Sequence, residues 1–196
     1  MILATVFWTL VGFISGALPF SVWIGRYWLH KDIREFGDKN PGATNVLRAG
    51  GVKPFVVALL LDICKGILPV GIAYHIFGLQ GWEIVPVAFA PPLGHTFSPF
   101  LGWQGGKSVA AAFGVWIGLT FWQMPIIAVT TLVILAWLVK PPGWAIMGTL
   151  AVMAVALAVW FQNPILTGVW ATQVIILGWS HRHDLRQRPI FRSLNA

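Results

Sequence analysis

The stretch FVVALLLDICKGILPVGIAYHIF, Phe55–Phe77, decides the fold. As a helix rising about 1.5 Å per residue it can cross the hydrocarbon of a bilayer, and its only charged side chains are Asp62 and Lys65. Runs of the same character recur at Ile2–Leu29, Ile84–Leu101, Val109–Trp122, Pro125–Val139, Trp144–Phe161 and Pro164–Trp179, separated by Pro, Gly and charged breaks. The chain of 196 residues is 57% hydrophobic and 10% charged, with mean hydropathy +0.76, which excludes a soluble domain of ordinary composition. Because apolar runs continue to the C-terminus, Ile2–Leu29 reads as a true span rather than a cleaved leader. The expectation is an all-α integral membrane protein, a single membrane-embedded domain over residues 1–196 with about seven transmembrane helices. Cys64 is the only cysteine, so helix packing rather than a disulfide must hold the bundle. Pro86, Pro91 and Pro92 in the third run, and the short Gln123–Met124 gap between the fourth and fifth, predict broken or tilted helices.

Even alternation of the seven runs places the loops at His30–Pro54, Gly102–Ser108 and Lys140–Gly143 on the same face as the tail His181–Ala196. Arg26, Lys31, Arg34, Lys39, Arg48, Lys53, Lys107, Lys140, Arg182, Arg186, Arg188 and Arg192 fall on or next to that face, and the other face carries only Glu83. The excess of Lys and Arg predicts an outside N-terminus, a cytoplasmic C-terminus and polar loops facing the cytoplasm. The net charge of +7 fits topology signalling, anionic lipid or an anionic substrate. Nucleic acid is disfavoured, since the basic residues are dispersed over loops without a continuous stripe. Twelve Trp and thirteen Phe suit interfacial belts and lipid-facing surface.

Polar groups gather in four places. In GHTFSPFLGWQGGKSVA, Gly94–Ala110, adjacent Gly105 and Gly106 can turn N–H groups toward one point, Lys107 adds a mobile cation, and a helix starting near Ser108 points its positive dipole end there. These are the parts of a phosphate cradle, or of a glycine turn with a lysine marking the cytoplasmic side. Ser98 and Ser108 add hydroxyls, and His95 is a base, a ligand or a packing histidine; no second ligand at suitable spacing argues for a metal. In HKDIREFGDKNPGATNVLRAGG, His30–Gly51, Asn40, Thr44 and Asn45 offer hydrogen bonds, Arg48 a planar fork suited to phosphate, and Gly42 close backbone approach. The interleaved Ala43, Val46 and Leu47 predict a segment folded back on the bundle as a partly re-entrant element. Asp62 and Lys65, three residues apart, share one helical face about 12 to 17 Å from Pro54, where they either neutralise each other to lock packing or line an anionic site. The tail cluster His181, Arg182, His183, Arg186 and Arg188 fits surface anchoring equally well.

In order along the chain, GALPFSVWIGR (Gly16–Arg26), DIREFGDKNPGATNVLRAGG (Asp32–Gly51), LDICKG (Leu61–Gly66) and the Gly94–Ala110 motif resemble the bacterial PlsY family, membrane glycerol-3-phosphate acyltransferases that use acyl phosphate as donor. The resemblance is close over roughly the first 115 residues and continues mainly as hydropathy. It implies acyl transfer to the sn-1 hydroxyl of glycerol 3-phosphate, giving lysophosphatidic acid and phosphate, without coenzyme A, an acyl carrier protein or another cofactor. It also implies a bacterial inner-membrane location and an acyl-phosphate-producing enzyme as a partner. Asp38, Arg48, Lys107 and His183 take the catalytic positions. Asn40, Gly42, Thr44, Asn45, Asp62, Lys65, His95, Ser98, Gly105, Gly106 and Ser108 form the candidate substrate-binding set. The chain departs from the family pattern where GDKN replaces GSGN, putting Asp38 in place of a serine, and where WQGGK replaces FKGGK. In the tail, Arg186 stands near the position of an expected asparagine.

Chemistry agrees with the resemblance. Acyl phosphate is already activated, so the site must hold phosphates and a hydroxyl together and stabilise developing negative charge, without forming an acyl-enzyme. The chain also lacks a histidine followed five positions later by aspartate: His30 is followed there by Glu35. Two other readings compete, a transporter of a phosphorylated solute lined by Asp62, Lys65 and His95, and a non-catalytic lipid-binding relative. The clustering of polar motifs on one face argues against the transporter, whose path needs polar groups at both faces.

Overall fold

A computed structural model of the chain describes residues 1–192; the last four residues of the predicted tail lie outside them. Helix dominates. Helices α1 (Ile2–Ala17) and α2 (Phe20–Trp28) nearly merge into one span, interrupted at Leu18–Pro19, where the proline ring removes a backbone donor. A long polar loop containing the 3-10 turn Ile33–Glu35 leads to α3 (Ala43–Gly50) and then α4 (Val52–Gly71), which continues as a π-helical turn to Ile76. The remaining helices are α5 (Ile84–Thr96), α6 (Val109–Thr120), α7 (Gln123–Leu138), α8 (Pro142–Ala156), α9 (Pro164–Ser180) and the one-turn α10 (Arg182–Leu185).

Each predicted apolar run is largely helical. Three stretches, Ile2–Trp28, Val52–Ile76 and Pro142–Phe161, are long and apolar enough to cross a membrane by length and composition. Two boundaries differ from expectation. Helix α5 stops at Thr96, and Pro99–Leu101 forms a separate 3-10 turn. The break between α6 and α7 lies at Phe121–Trp122 rather than at Gln123–Met124, because Phe121 takes a left-handed φ of 52° that no helix continues. The all-α expectation also needs one small addition: Val139–Lys140 pairs antiparallel with Ile190–Phe191, laying the tail against the start of α8.

Close backbone approach holds the bundle. Helix α1 crosses α5 and α4 crosses α6. A side chain at Gly16 would meet the Pro91 carbonyl, and one at Gly66 the Ala111 carbonyl. Small residues thus replace the hydrophobic driving force that is missing between helices in lipid, letting dispersion contacts form along the backbones. The main core fills between these pairs with Val70, Val87, Val115, Trp116, Met124, Leu150 and Val169. A second, smaller core forms under the long polar loop, where Ile33, Ala43, Val46 and Ala49 pack on Ala58. Ala43, Val46 and Ala49 form the amphipathic face of α3 that docks the loop on α2 and α4 and brings Asn45 and Arg48 to the bundle, while Leu47, expected to join them, stays exposed.

Candidate active site

Three segments distant in sequence meet at one end of the bundle: the loop before α3, the glycine turn before α6, and the start of the tail. They surround the mouth of a cavity of about 520 Å3. Asp38, Asn40, Gly42, Thr44, Arg48, Lys107 and His181 line it near these segments, and it continues among Leu59, Ile63, Phe113, Trp116, Leu132, Leu150 and Met153. At its apolar end the Trp116 indole Nε1 donates to Gln173 Oε1 at 2.6 Å, so both buried polar groups are satisfied. A groove of about 490 Å3 on the outer surface, lined by Phe20, Trp23, Ile24, Tyr27, Trp28 and Leu61, contains none of this chemistry and suits lipid contact.

Lys107 is the hub of the mouth. Its Nζ lies 3.1 Å from Asp38 Oδ2 and 3.3 Å from Asp184 Oδ2. Asp38 Oδ1 accepts from Asn45 Nδ2 at 3.1 Å and lies 3.5 Å from Arg48 Nη1. Arg48 in turn donates to Asn45 Oδ1 at 2.8 Å. Asn45, only 1% exposed, also donates to the Asn40 carbonyl at 2.9 Å and so ties the loop to α3. Gly37 makes room for this fork: its φ is +56°, and a Cβ there would collide with the Arg48 guanidinium. Burial pushes the Asp38 carboxyl up, but the Lys107 ammonium and the hydrogen bonds from the Asn40 and Asn45 groups outweigh it and hold the group below the usual carboxylate range. Two cations and two carboxylates therefore face one another.

The glycine turn acts differently from the expected cradle. Gly105 N–H donates to the Thr96 carbonyl at 3.0 Å and Gly106 N–H to the His95 carbonyl at 2.9 Å. Both amides satisfy the end of α5, where four carbonyls lack helical partners, and are not free for phosphate. Side chains at either glycine would strike His95. The turn aims Lys107 by packing tightly on α5, and the uncapped N-terminus of α6 behind it supplies the partial positive charge at Val109 and Ala110.

The other predicted residues separate into two groups. Asp62 and His95 border the cavity, with Lys65 behind them. Ser98 does not reach it; its Oγ donates to the Ala17 carbonyl at 2.6 Å and fastens α1 to the end of α5. Ser108 lines the cavity, but its Oγ is 2.7 Å from the Pro92 carbonyl and 2.6 Å from Thr96 Oγ1, so the hydroxyl serves packing.

The tail corrects the sequence reading. His183 is exposed and makes no side-chain hydrogen bond among the described residues, whereas His181 is buried and lines the cavity. The tail side chain beside Lys107 is Asp184, not Arg186. A one-turn helix explains the choice: residues three apart share a face, so His181 and Asp184 turn inward together while Arg182 and His183 turn out. That spacing was the available signal. His181 Nδ1 sits 2.9 Å from the Leu177 carbonyl, which can only accept, so Nδ1 carries the hydrogen and Nε2 the lone pair. Burial holds its imidazole below the usual histidine range, against the opposing bond to Leu177 and with the Lys107 charge adding to the burial.

The family model described as glycerol-3-phosphate acyltransferase matches residues 6–188. Among curated relatives, a glycerol-3-phosphate acyltransferase of Maridesulfovibrio salexigens is 35% identical over 190 residues, covering 93% of this chain and 92% of the relative. One from Neisseria meningitidis serogroup C is 38% identical over 179 residues, covering 88% and 86%. The fold is similar to the crystal structure of PlsY, an integral membrane glycerol 3-phosphate acyltransferase, in its glycerol 3-phosphate form, with TM-score 0.83, 27% identity and coverage of 93% of this chain and 90% of that one. The lysophosphatidic acid form of the same protein superposes with TM-score 0.81. With nearly its whole length matched by the family model and by relatives above 30% identity, the chain belongs to the glycerol-3-phosphate acyltransferase family.

Proposed function

We propose that the protein transfers a fatty acyl group from acyl phosphate to the sn-1 hydroxyl of glycerol 3-phosphate, releasing lysophosphatidic acid and phosphate. The observation that carries this reading is the junction of Lys107 and Arg48 with an apolar cavity: cations for phosphate groups adjoin a sleeve suited to an acyl chain. Binding aligns the acceptor hydroxyl with the acyl carbonyl, which converts a bimolecular step into a unimolecular one. The new ester C–O bond forms as the bond from the acyl carbon to the phosphate oxygen breaks. His181 Nε2 takes the hydroxyl proton and passes it to the departing phosphate, whose charge Lys107 and Arg48 offset. No acyl-enzyme is needed, and the hydroxyls of Ser98 and Ser108 are already committed to packing.

A seven-span arrangement, outside N-terminus and cytoplasmic site in the bacterial inner membrane accompany this proposal. The charge distribution supports it, since the loops richest in Lys and Arg are those that meet at the cavity mouth. Acyl phosphate made in the cytoplasm would then arrive at the same face. The test is synthesis in detergent with purified protein, acyl phosphate and glycerol 3-phosphate. Lysophosphatidate should form without a sealed compartment; transport of glycerol 3-phosphate into vesicles without product would instead identify a transporter.

A further inference from the structure

Behind the cavity wall lies a chain of buried polar groups that the acyl-transfer scheme does not use. Asp62 and Lys65 are each 2% exposed. Ser21 Oγ donates to Asp62 Oδ2 at 2.7 Å. Lys65 Nζ lies 2.7 Å from Asp62 Oδ1, an ion contact off the hydrogen-bonding direction, and 5.2 Å above the Phe20 ring. The same ammonium reaches His95 Nδ1 at 3.4 Å. An ammonium has three donors and no acceptor, so Nδ1 must offer its lone pair and the ring hydrogen must sit on Nε2. Nε2 lies against the open side of Gly106, next to Lys107, and has no protein partner among the described residues.

We infer that Asp62 and Lys65 are positioning residues that lock His95 in its neutral Nε2–H form, and that this N–H donates to a phosphate oxygen of the substrate beside Lys107. The inference rests on the proposed acyl transfer only for the identity of that substrate. The pair is retained at this depth although a buried ion pair is weak support for stability; its geometry sets a proton on a third residue. Gly105 and Gly106 spend their amides on α5, so a donor from His95 replaces what the turn itself does not supply. Asp62 is the anchor that holds the Lys65 ammonium in place.

The test uses full-length protein labelled with nitrogen-15 at histidine, with the His95 resonances identified by their loss in His95→Gln. Wild type should show a protonated Nε2 and a bare Nδ1, and inorganic phosphate should shift the Nε2 signal. In the Asp62→Asn/Lys65→Met double variant, which removes both charges together, the tautomer should become mixed and kcat/KM for glycerol 3-phosphate should fall about ten- to a hundredfold. His95→Gln, whose amide nitrogen can stand in for Nε2, should retain more activity than His95→Phe. Circular dichroism and a monodisperse elution profile identify folded variants, and the wild-type tautomer is measured whether or not the variants fold. A proton on Nδ1 in wild type, an unchanged tautomer in the folded double variant, or wild-type kinetics in His95→Phe would each overturn the inference. If wild type makes no lysophosphatidate yet phosphate moves the Nε2 signal, the acyl-transfer reading fails while the donor role stands; with neither product nor shift, both fail.

Discussion

Replacing Lys107 by alanine should damage this protein through two effects of the same sign. The first is loss of a charge-assisted contact to a substrate phosphate, which costs on the order of 2 to 4 kcal/mol of transition-state stabilisation. The second comes from what Lys107 now neutralises: Asp38 at 3.1 Å and Asp184 at 3.3 Å lose their shared cation. A phosphate about 5 Å from either carboxylate would feel roughly 3 kcal/mol of repulsion at an effective dielectric near 20, reduced to about 1 kcal/mol by solvent and salt at this open mouth. With both carboxylates counted, these give about 4 to 6 kcal/mol, or roughly a thousand- to twenty-five-thousandfold in kcat/KM for glycerol 3-phosphate. Stability should change by about 1 kcal/mol or less, because the contacts are partly exposed. The assay is steady-state lysophosphatidate formation in detergent by Lys107→Ala and by Lys107→Ala/Asp184→Asn. The double variant should recover about fivefold, since one repelling charge is gone. Wild-type kinetics in the single variant would make the glycine turn a packing element only. A double variant no better than the single would refute the shared-cation reasoning.

Three other outcomes follow from the same geometry. Asp38→Ala should lose about tenfold or more in kcat/KM for glycerol 3-phosphate, because Asn45 and Lys107 lose a common acceptor. Asp38→Ser should recover much of that loss, and equality of alanine with wild type would reduce Asp38 to a loop charge. For His181, the lowered folded pKa means that the unfolded chain binds the proton first. Its contribution to stability is therefore full above about pH 6.5 and declines as pH falls below that value. The drop in Tm from pH 7.5 to 5 should be shallower in His181→Gln, and parallel curves would exclude this assignment. For topology, cysteines placed singly near Gln80 and near Lys140 in a Cys64→Ala background should be labelled from opposite sides of the membrane; accessibility from one common side would disprove the alternation.

Sequence alone determined the membrane-protein class, the approximate helical runs and the concentration of cations in particular loops. These are local properties: a run such as Phe55–Phe77 is apolar whatever it packs against, and Lys and Arg mark loops by their number. The docking of the loop His30–Gly51 was legible in part: Ala43 and Val46 bury by folding back, whereas Leu47 stays exposed and Ala49 takes the third buried place at helical spacing. Motif order further pointed to Arg48, Asn45 and Lys107, which the fold brings to one mouth. Tertiary structure decided which tail side chains join them. Asp184 meets Lys107 across 77 positions, a distance closed only by how α6, α8 and α9 pack, and hydropathy carries no record of that packing. The tail histidine was assigned by motif match, which took His183, while the one-turn helix selected His181 and Asp184 by face. The glycines were likewise ambiguous in sequence. A free amide cradle and a tight turn need the same residue, and only the position of the His95 and Thr96 carbonyls shows that their N–H groups belong to α5.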